Sequence, residues 1–326
     1  MNIPVMGSKR PTLRRRGIVL LVVIAFFAGI LVHRLVAGSG KSSAAPFRAP
    51  SRSGHPHRHL TLAPVPDGWE SADHLVMVAG HAVYTAESRS AEAVQNEASW
   101  FLEPFQKGQL QTMLSHIRRG VEVTAGDNAT LLVFSGGETR VAAGPRSEAA
   151  SYWEAAEAMG WFGFPSVRAR SALEAQARDS FENLLFALCR FREATGQYPR
   201  RVTVVSFGFK RRRFVELHRA ALRFPRSRFT YLGIDPPGLG LDVLRGELAH
   251  SAKPFERDPY GCAEAELQRK RAGRNPFRRH IAYEEGCPEL TSLLEHCGPG
   301  RFAGPLPWSQ TLGDDEDGST RQPSFE

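Results

Sequence analysis

Four short runs of apolar residues, each halted by glycine or serine, limit the folds open to this chain. They are His74-Leu-Val-Met-Val-Ala79 before Gly80, Thr130-Leu-Leu-Val-Phe134 before Ser135-Gly136-Gly137, Val202-Thr-Val-Val205 before Ser206-Phe-Gly208, and Phe229-Thr-Tyr-Leu232 before Gly233. A strand with one face in water alternates apolar and polar residues. A continuous apolar run marks a strand covered on both faces, as in a parallel sheet. Helical stretches separate the runs: near 108–120, from Ser147 to Met159, from about Arg178 to Ala194, and from about Lys210 to Leu222. The fold class expected is therefore α/β, a doubly wound and mostly parallel sheet with right-handed crossovers over residues 67–240. Residues 241–305 read as a helical extension packed beside it.

The N-terminal segment has a different character. Gly17 to Val32 contains no polar or charged side chain, and extending it to Val36 brings it to 20 residues. That is enough to cross ~30 Å of hydrocarbon as a helix. Five cations in residues 1–16 precede it, so the positive-inside tendency puts the N-terminus in the cytoplasm and the domain on the far side. The expected partner of 17–36 is a lipid bilayer, in a single-pass arrangement that favours the secretory pathway. A cleaved signal peptide, a mitochondrial import signal ahead of an inner-membrane span, and a domain facing the cytoplasm are the alternatives. Residues 37–66, rich in Ser, Ala, Pro, Arg and His, read as a disordered linker, and 306–326, with Asp314-Asp-Glu-Asp317, as a disordered acidic tail.

A formal charge of +8 points at first to nucleic acid. Ten of the Lys and Arg residues and none of the acids fall in residues 1–66, which leaves 67–326 at −2. A nucleic-acid binder concentrates its positive charge on the folded face, so nucleic acid is not an expected partner. The four cysteines, Cys189, Cys262, Cys287 and Cys297, lack zinc-site spacing. Cys189 lies in an apolar helical stretch and reads as a core residue. The other three allow a C-terminal disulfide or a reduced, unpaired set.

Ligands of open α/β sheets bind at the carboxyl ends of the strands, which is where this chain collects its unusual polar residues. His81 follows the first run and could exchange protons near neutrality; a loop histidine with a hydrogen-bond partner is the plainer account. Ser135, Gly136 and Gly137 could cradle a phosphate with backbone N–H groups, or simply form a tight turn. Arg140 could fork onto the same anion. Ser147 and Glu148 open a helix, where N-capping is the plain role and general-base chemistry the sharper one. Glu174, Ser180, Glu182 and Asn183 form the densest polar cluster beside an apolar helix, and buried polar groups need partners or a ligand. Ser206, Lys210 and Arg213 bring a basic run to a helix N-terminus, against the helix dipole. That violation of a local rule is the best hint of an anionic ligand. No metal ligands are assigned.

In order along the chain, Gly80, Ser135-Gly136-Gly137, Ser147-Glu148-Ala149, Glu174 with Ser180-Phe181-Glu182-Asn183, and Ser206 with Phe209 and Arg213 resemble the pattern of the YdcF/SanA/ElyC family. The resemblance covers roughly residues 72–235. Two departures stand out: the family's histidine near the last motif is replaced by Lys210, and the loop before it is one residue longer. Residues from Asp258 onward resemble an extension of fungal members. The resemblance implies a Rossmann-like fold and, for bacterial members, a link to envelope integrity; S-adenosylmethionine or a divalent metal enters as a cofactor through it alone. Three functions then compete. One is an enzyme on a phosphate or diphosphate group of a lipid-linked or nucleotide substrate, with Arg140, Lys210 and Arg213 holding the anion and Glu148, Glu182 or His81 moving protons, or Glu148 or Glu182 holding a metal ion. The second is a non-catalytic module for a nucleotide-like ligand. The third is a membrane-tethered structural factor.

Overall fold

The central strand, β1 (His74–Ala79), is buried at every position, because both of its faces carry apolar side chains and both are covered. In the computed structural model, which describes residues 69–281 and 283–309, it is one of seven strands. The others are β2 (Val83–Tyr84), β3 (Trp100–Phe101), β4 (Thr130–Ser135), β5 (Ser171–Glu174), β6 (Arg201–Ser206) and β7 (Phe229–Gly233). Five form one sheet in the order β5-β4-β1-β6-β7, every neighbouring pair parallel. β2 and β3 make a small antiparallel pair. The fold is α/β. The expected basic flank 1–16, membrane span 17–36 and linker 37–66 lie outside the described residues, and among the described residues no helix is long and apolar enough to cross a membrane.

Alternate residues of the strands feed two cores. Val76, Val78, Leu132, Phe134 and Val205 point to one side, where α1 (Leu110–Ala125) adds Met113, Ile117 and Val121 and α2 (Glu148–Ala158) adds Ala149, Tyr152 and Ala155. Leu75, Met77, Leu131, Val133, Val202 and Val204 point to the other, against Leu184, Leu188 and Phe191 of α3 (Ser180–Thr195). Each fully buried side chain of this size contributes about 1.5–3 kcal/mol, so neither face of the sheet can be left to water. Local chemistry sets the helix starts. Ser147 Oγ accepts from Ala150 N at 3.0 Å, and Asp179 Oδ1 accepts from Phe181 N and Glu182 N at 3.0 and 2.9 Å. Gly196, left-handed at φ 79°, ends α3.

The expected helix over Lys210 to Leu222 is present in parts: a 3₁₀ turn at Gly208–Lys210, a π-helical stretch at Arg213–His218 and a final α turn at Arg219–Ala221. Beyond β7 come α4 (Leu241–Glu247), a π turn at Leu248–Ala252, α5 (Lys253–Arg257), α6 (Ala265–Gly273) and single turns at Tyr283–Gly286 and Thr291–Leu294. This extension joins the core on the α3 side through Phe255, Leu290, Leu306 and Trp308. Of the tail expected over 306–326, residues 306–309 belong to this packed extension, and 310–326 lie outside the described residues. Leu306 and Trp308 are buried, and Trp308 Nε1 donates to Leu222 O at 2.7 Å.

The C-terminal disulfide expected as one alternative is present, and the reading of Cys189 is corrected. Cys189 bonds Cys287, which fastens α3 to the extension, and Cys262 bonds Cys297 within the extension. Cys189 is a core residue, but not a lone one.

Candidate functional site

Chain winding reverses between β1 and β6, because β4 and β5 lie on one side of β1 and β6 and β7 on the other. Connections diverge at such a point and leave a crevice above the strand ends. A cavity of about 530 Å³ opens there. At its base, His81 Nε2 lies 3.0 Å from Ser206 Oγ, and the ring stacks on Phe207 with centroids 4.8 Å apart. Lys210 Nζ lies 3.3 Å from His81 Nδ1 and 5.1 Å above the Phe207 ring. Enclosure, and then the neighbouring ammonium of Lys210, push the His81 imidazole well below its ordinary value. Enclosure together with Arg213 and Arg274 brings Lys210 down to about 7, despite the opposing pull of Glu247 and Glu148.

Glu148 supplies the next wall from the first turn of α2. Its Oε1 accepts from Thr139 Oγ1 at 2.7 Å, and its carboxylate borders the cavity. Two glycines allow this approach. A Cβ on Gly80 would sit 2.6 Å from Glu148 Cβ, and one on Gly136 would sit 2.7 Å from Glu148 Oε2. The expected phosphate cradle at Ser135-Gly136-Gly137 is overturned by the same geometry. Gly136 N donates to Glu174 O at 2.9 Å and Gly137 N to Ala177 O at 2.8 Å, while the carbonyls of both glycines accept from Ala149 N and Glu148 N. The two N–H groups are spent on the end of β5 and the loop that follows it, the two carbonyls seat α2, and no N–H is left for an anion.

Several other expected residues lie behind the wall. Ser135 Oγ donates to Glu174 Oε2 at 2.5 Å and accepts from Asn183 Nδ2 at 2.9 Å. Glu174 Oε1 also accepts from Gln176 N and Ala177 N, at 2.7 and 3.1 Å. Complete burial raises this carboxyl to about 7 even so. Ser206 is wholly buried and reaches the cavity only through His81. Glu182, expected as a catalytic carboxylate, does not line the cavity. It is gripped by Arg178 at 2.5 Å and Arg271 at 3.1 Å, and Arg271 also reaches Asp179 at 2.6 Å. Its role is to lock the start of α3 to α6. Ser180 and Asn183 do border the cavity, although Ser180 Oγ also lies 2.7 Å from His218 Nε2.

Six cations border the cavity, Arg178 and Lys270 beside the four that follow, and so do the carboxylates of Glu148, Asp179, Asp242 and Glu247. Arg140, Lys210 and Arg213, all expected, border it. Arg274, from the end of α6, was not expected; its Nη1 donates to the Arg178 carbonyl at 3.0 Å. Arg140 is 3.3 Å from Glu103, and Arg213 is 3.1 Å from Glu247. Among the described residues, no carboxylate comes within ion-pair distance of Lys210 or Arg274. Burial, and after it Arg140, lowers the Arg274 guanidinium. Glu247, Gln106 and Thr139 were also missed as lining residues, and Phe209 of the last motif borders the cavity as well. Among the described residues no group of three or more His, Cys, Asp or Glu side chains could hold a metal ion, so no step is routed through one.

Compared with known proteins, the chain is 26% identical over 276 residues to an uncharacterized protein of Saccharomyces cerevisiae, covering 68% of this chain and 90% of that one. No family model matches it, and no solved structure matches it.

Proposed function

We propose that the cleft above β1 and β6 binds a small phosphate-bearing ligand. The observation that carries this reading is a pair of cations, Lys210 and Arg274, with no carboxylate at ion-pair distance among the described residues, facing one cavity beside Arg140 and Arg213. Concentrating like charges in a partly desolvated space is unfavourable unless an anion completes it. An Arg fork donates to two phosphate oxygens at once, and an ammonium acts on the same group as a point charge. A ligand bearing a sulfonium, such as S-adenosylmethionine, suits this positive excess less well. Lys210 sits near its transition at neutral pH, so it can give a proton to a departing oxygen. Glu148, held by Thr139, is the carboxylate that can take one from an attacking water or hydroxyl.

The same reading places the chain as a distant, Rossmann-like member of the YdcF/SanA/ElyC family. Its support is the way separated motif pieces meet: Ser135 with Glu174 and Asn183, His81 with Ser206, and Glu148 against Gly80 and Gly136. Two disulfides support a domain on the oxidising side of a membrane, the side to which the basic flank of residues 17–36 would send it.

The test is a melting experiment on the purified full chain with glycerol 3-phosphate, sugar phosphates and nucleoside diphosphates, each paired with its phosphate-free counterpart. A ligand at about 100 times its Kd adds about 2.7 kcal/mol, a shift of several degrees. Arg213→Ala and Lys210→Met should abolish the shift. If the phosphate-free compounds shift the protein equally, the phosphate reading is wrong. Following a hit by phosphorus NMR then separates turnover from simple binding.

A further inference from the structure

The mouth of the cleft is unlike its interior. Phe105 borders the cavity yet is 68% exposed, and Leu241, Leu244 and Leu248 are 66%, 39% and 41% exposed. The three leucines fall at i, i+3 and i+7, which puts them on one stripe of α4 and the turn that continues it. The neighbouring stripe, Val243, Gly246, Glu247 and His250, borders the cavity. A single exposed leucine needs no explanation, but an apolar ridge continuous with a binding site does.

We infer that the ligand is the phosphate headgroup of a lipid, whose chains lie against the ridge of Leu241, Leu244 and Leu248 and against Phe105. This rests on the phosphate reading of the cavity and adds what the ligand is attached to. Volume points the same way: about 530 Å³ is the scale of a pocket for a small molecule, enough for a phosphorylated headgroup but not for a pair of long acyl chains. The chains must leave through the mouth, and the apolar surface there removes them from water. The sequence carries its own uncharged run at Gly17 to Val32, followed by a segment rich in Ser and Pro. A chain tethered in that way meets membrane lipids at high effective concentration.

The experiment uses the full chain in a neutral detergent with two probes, glycerol 3-phosphate and dioctanoyl phosphatidic acid. The lipid should bind at least about tenfold more tightly than the bare headgroup, because apolar area is buried with it. Replacing the ridge with Leu241→Ser, Leu244→Ser and Leu248→Ser together should remove that advantage and leave glycerol 3-phosphate affinity within about twofold; exposed substitutions of this kind cost little stability. Equal affinity for the two probes overturns the lipid assignment and leaves the phosphate reading standing. An advantage that survives the triple substitution also overturns it, by tracing the gain to micelle partitioning or another surface. A triple variant that turns a dimer into a monomer in sedimentation makes the ridge a contact between two copies, and the assignment fails. If lipid binding ignores Arg213→Ala and Lys210→Met, the phosphate reading fails instead.

Discussion

Lys210 Nζ and His81 Nδ1 lie 3.3 Å apart, and the other ring nitrogen of His81 lies 3.0 Å from Ser206 Oγ. Two cations at that separation repel, so at neutral pH the proton belongs to the lysine and the ring stays neutral. With Lys210 at about 7, against 10.5 when unfolded, the folded protein releases a proton that the unfolded chain keeps. Stability therefore rises with pH across that window and is reduced below it. Lys210→Met removes the buried charge. It should raise the melting point at pH 6, by on the order of 1 kcal/mol of stability, and the gain should shrink toward pH 9. A gain of the same size at both pH values would mean that the lysine does not titrate there.

The same lysine sets a pH dependence for binding. Below pH 7 it is charged and attracts an anion; above pH 7 that attraction fades, up to about tenfold in affinity per pH unit. The phosphate's own ionisation opposes this trend, so the measured quantity is the ratio of wild-type to Lys210→Met affinity from pH 6 to pH 8.5. The ratio should fall toward one as pH rises. A flat ratio would assign the attraction to Arg140, Arg213 and Arg274 alone.

Glu174 titrates in the opposite sense. Its carboxyl is raised from 4.5 to about 7 by burial, so between those values the folded protein holds a proton that the unfolded chain has lost. Its contribution to stability is full below pH 4.5 and is lost as pH rises through 7. Glu174→Gln keeps an oxygen for Gln176 N and Ala177 N and places an amide opposite Ser135. The melting curve of this variant should lose the part of the pH 4.5–7 slope that Glu174 supplies, and calorimetry across that range checks it. Glu174→Ala leaves two backbone amides and the Tyr283 hydroxyl short of an acceptor and Ser135 Oγ with only the Asn183 carbonyl at 3.3 Å, at a cost of about 2–4 kcal/mol.

Much of this layout is readable in the chain, for reasons that differ by element. β1, β4 and β6 are announced by apolar runs because each is packed on both sides; β7 carries such a run too, yet it lies at an edge of the sheet and only its Tyr231 is buried, so the expectation of two covered faces fails there. β5 lies at the edge of the sheet, and its four residues alternate between buried and half-buried, so no run marks it. His81, Glu148, Lys210 and Arg213 could be nominated because strand ends converge in any sheet of this class. Arg274 could not. A cation at the end of a helix satisfies the local dipole rule, and only the path of the extension brings it to the cleft. Gly136 shows the converse error: glycine after a strand signals a close approach, but its neighbour is the side chain of Glu148 rather than a phosphate.

That close approach is testable by substitution. Gly80→Ala would force a Cβ to within 2.6 Å of Glu148 Cβ, and backbone and helix must separate to admit it. Overpacking of this kind costs about 1–3 kcal/mol. It should also weaken phosphate binding, because Glu148 and Thr139 move with α2. Gly298→Ala, with open space around its Cβ, is the control and should melt within about 0.5 kcal/mol of wild type. A Gly80→Ala protein as stable as the control would mean that α2 does not press on β1 as described.

The disulfides connect the cleft to redox state. Cys262–Cys297 brackets Arg271 and Arg274, and Cys189–Cys287 spans 98 residues to hold the extension against α3. In the chain-entropy account, closing loops of 35 and 98 residues contributes about 4 and about 5 kcal/mol. The Cys189→Ala, Cys287→Ala pair should therefore destabilise the protein more than the Cys262→Ala, Cys297→Ala pair. The second pair should have the larger effect on ligand affinity relative to its cost in stability, because it frees the segment that carries Arg274 while α3 stays bonded. Melting points and phosphate-ligand affinities of the two double variants, compared in the same buffer, decide this. If opening Cys262–Cys297 leaves affinity unchanged, Arg274 keeps its place without the bond, and the extension is held at the cleft by the Arg271 ion pairs with Asp179 and Glu182.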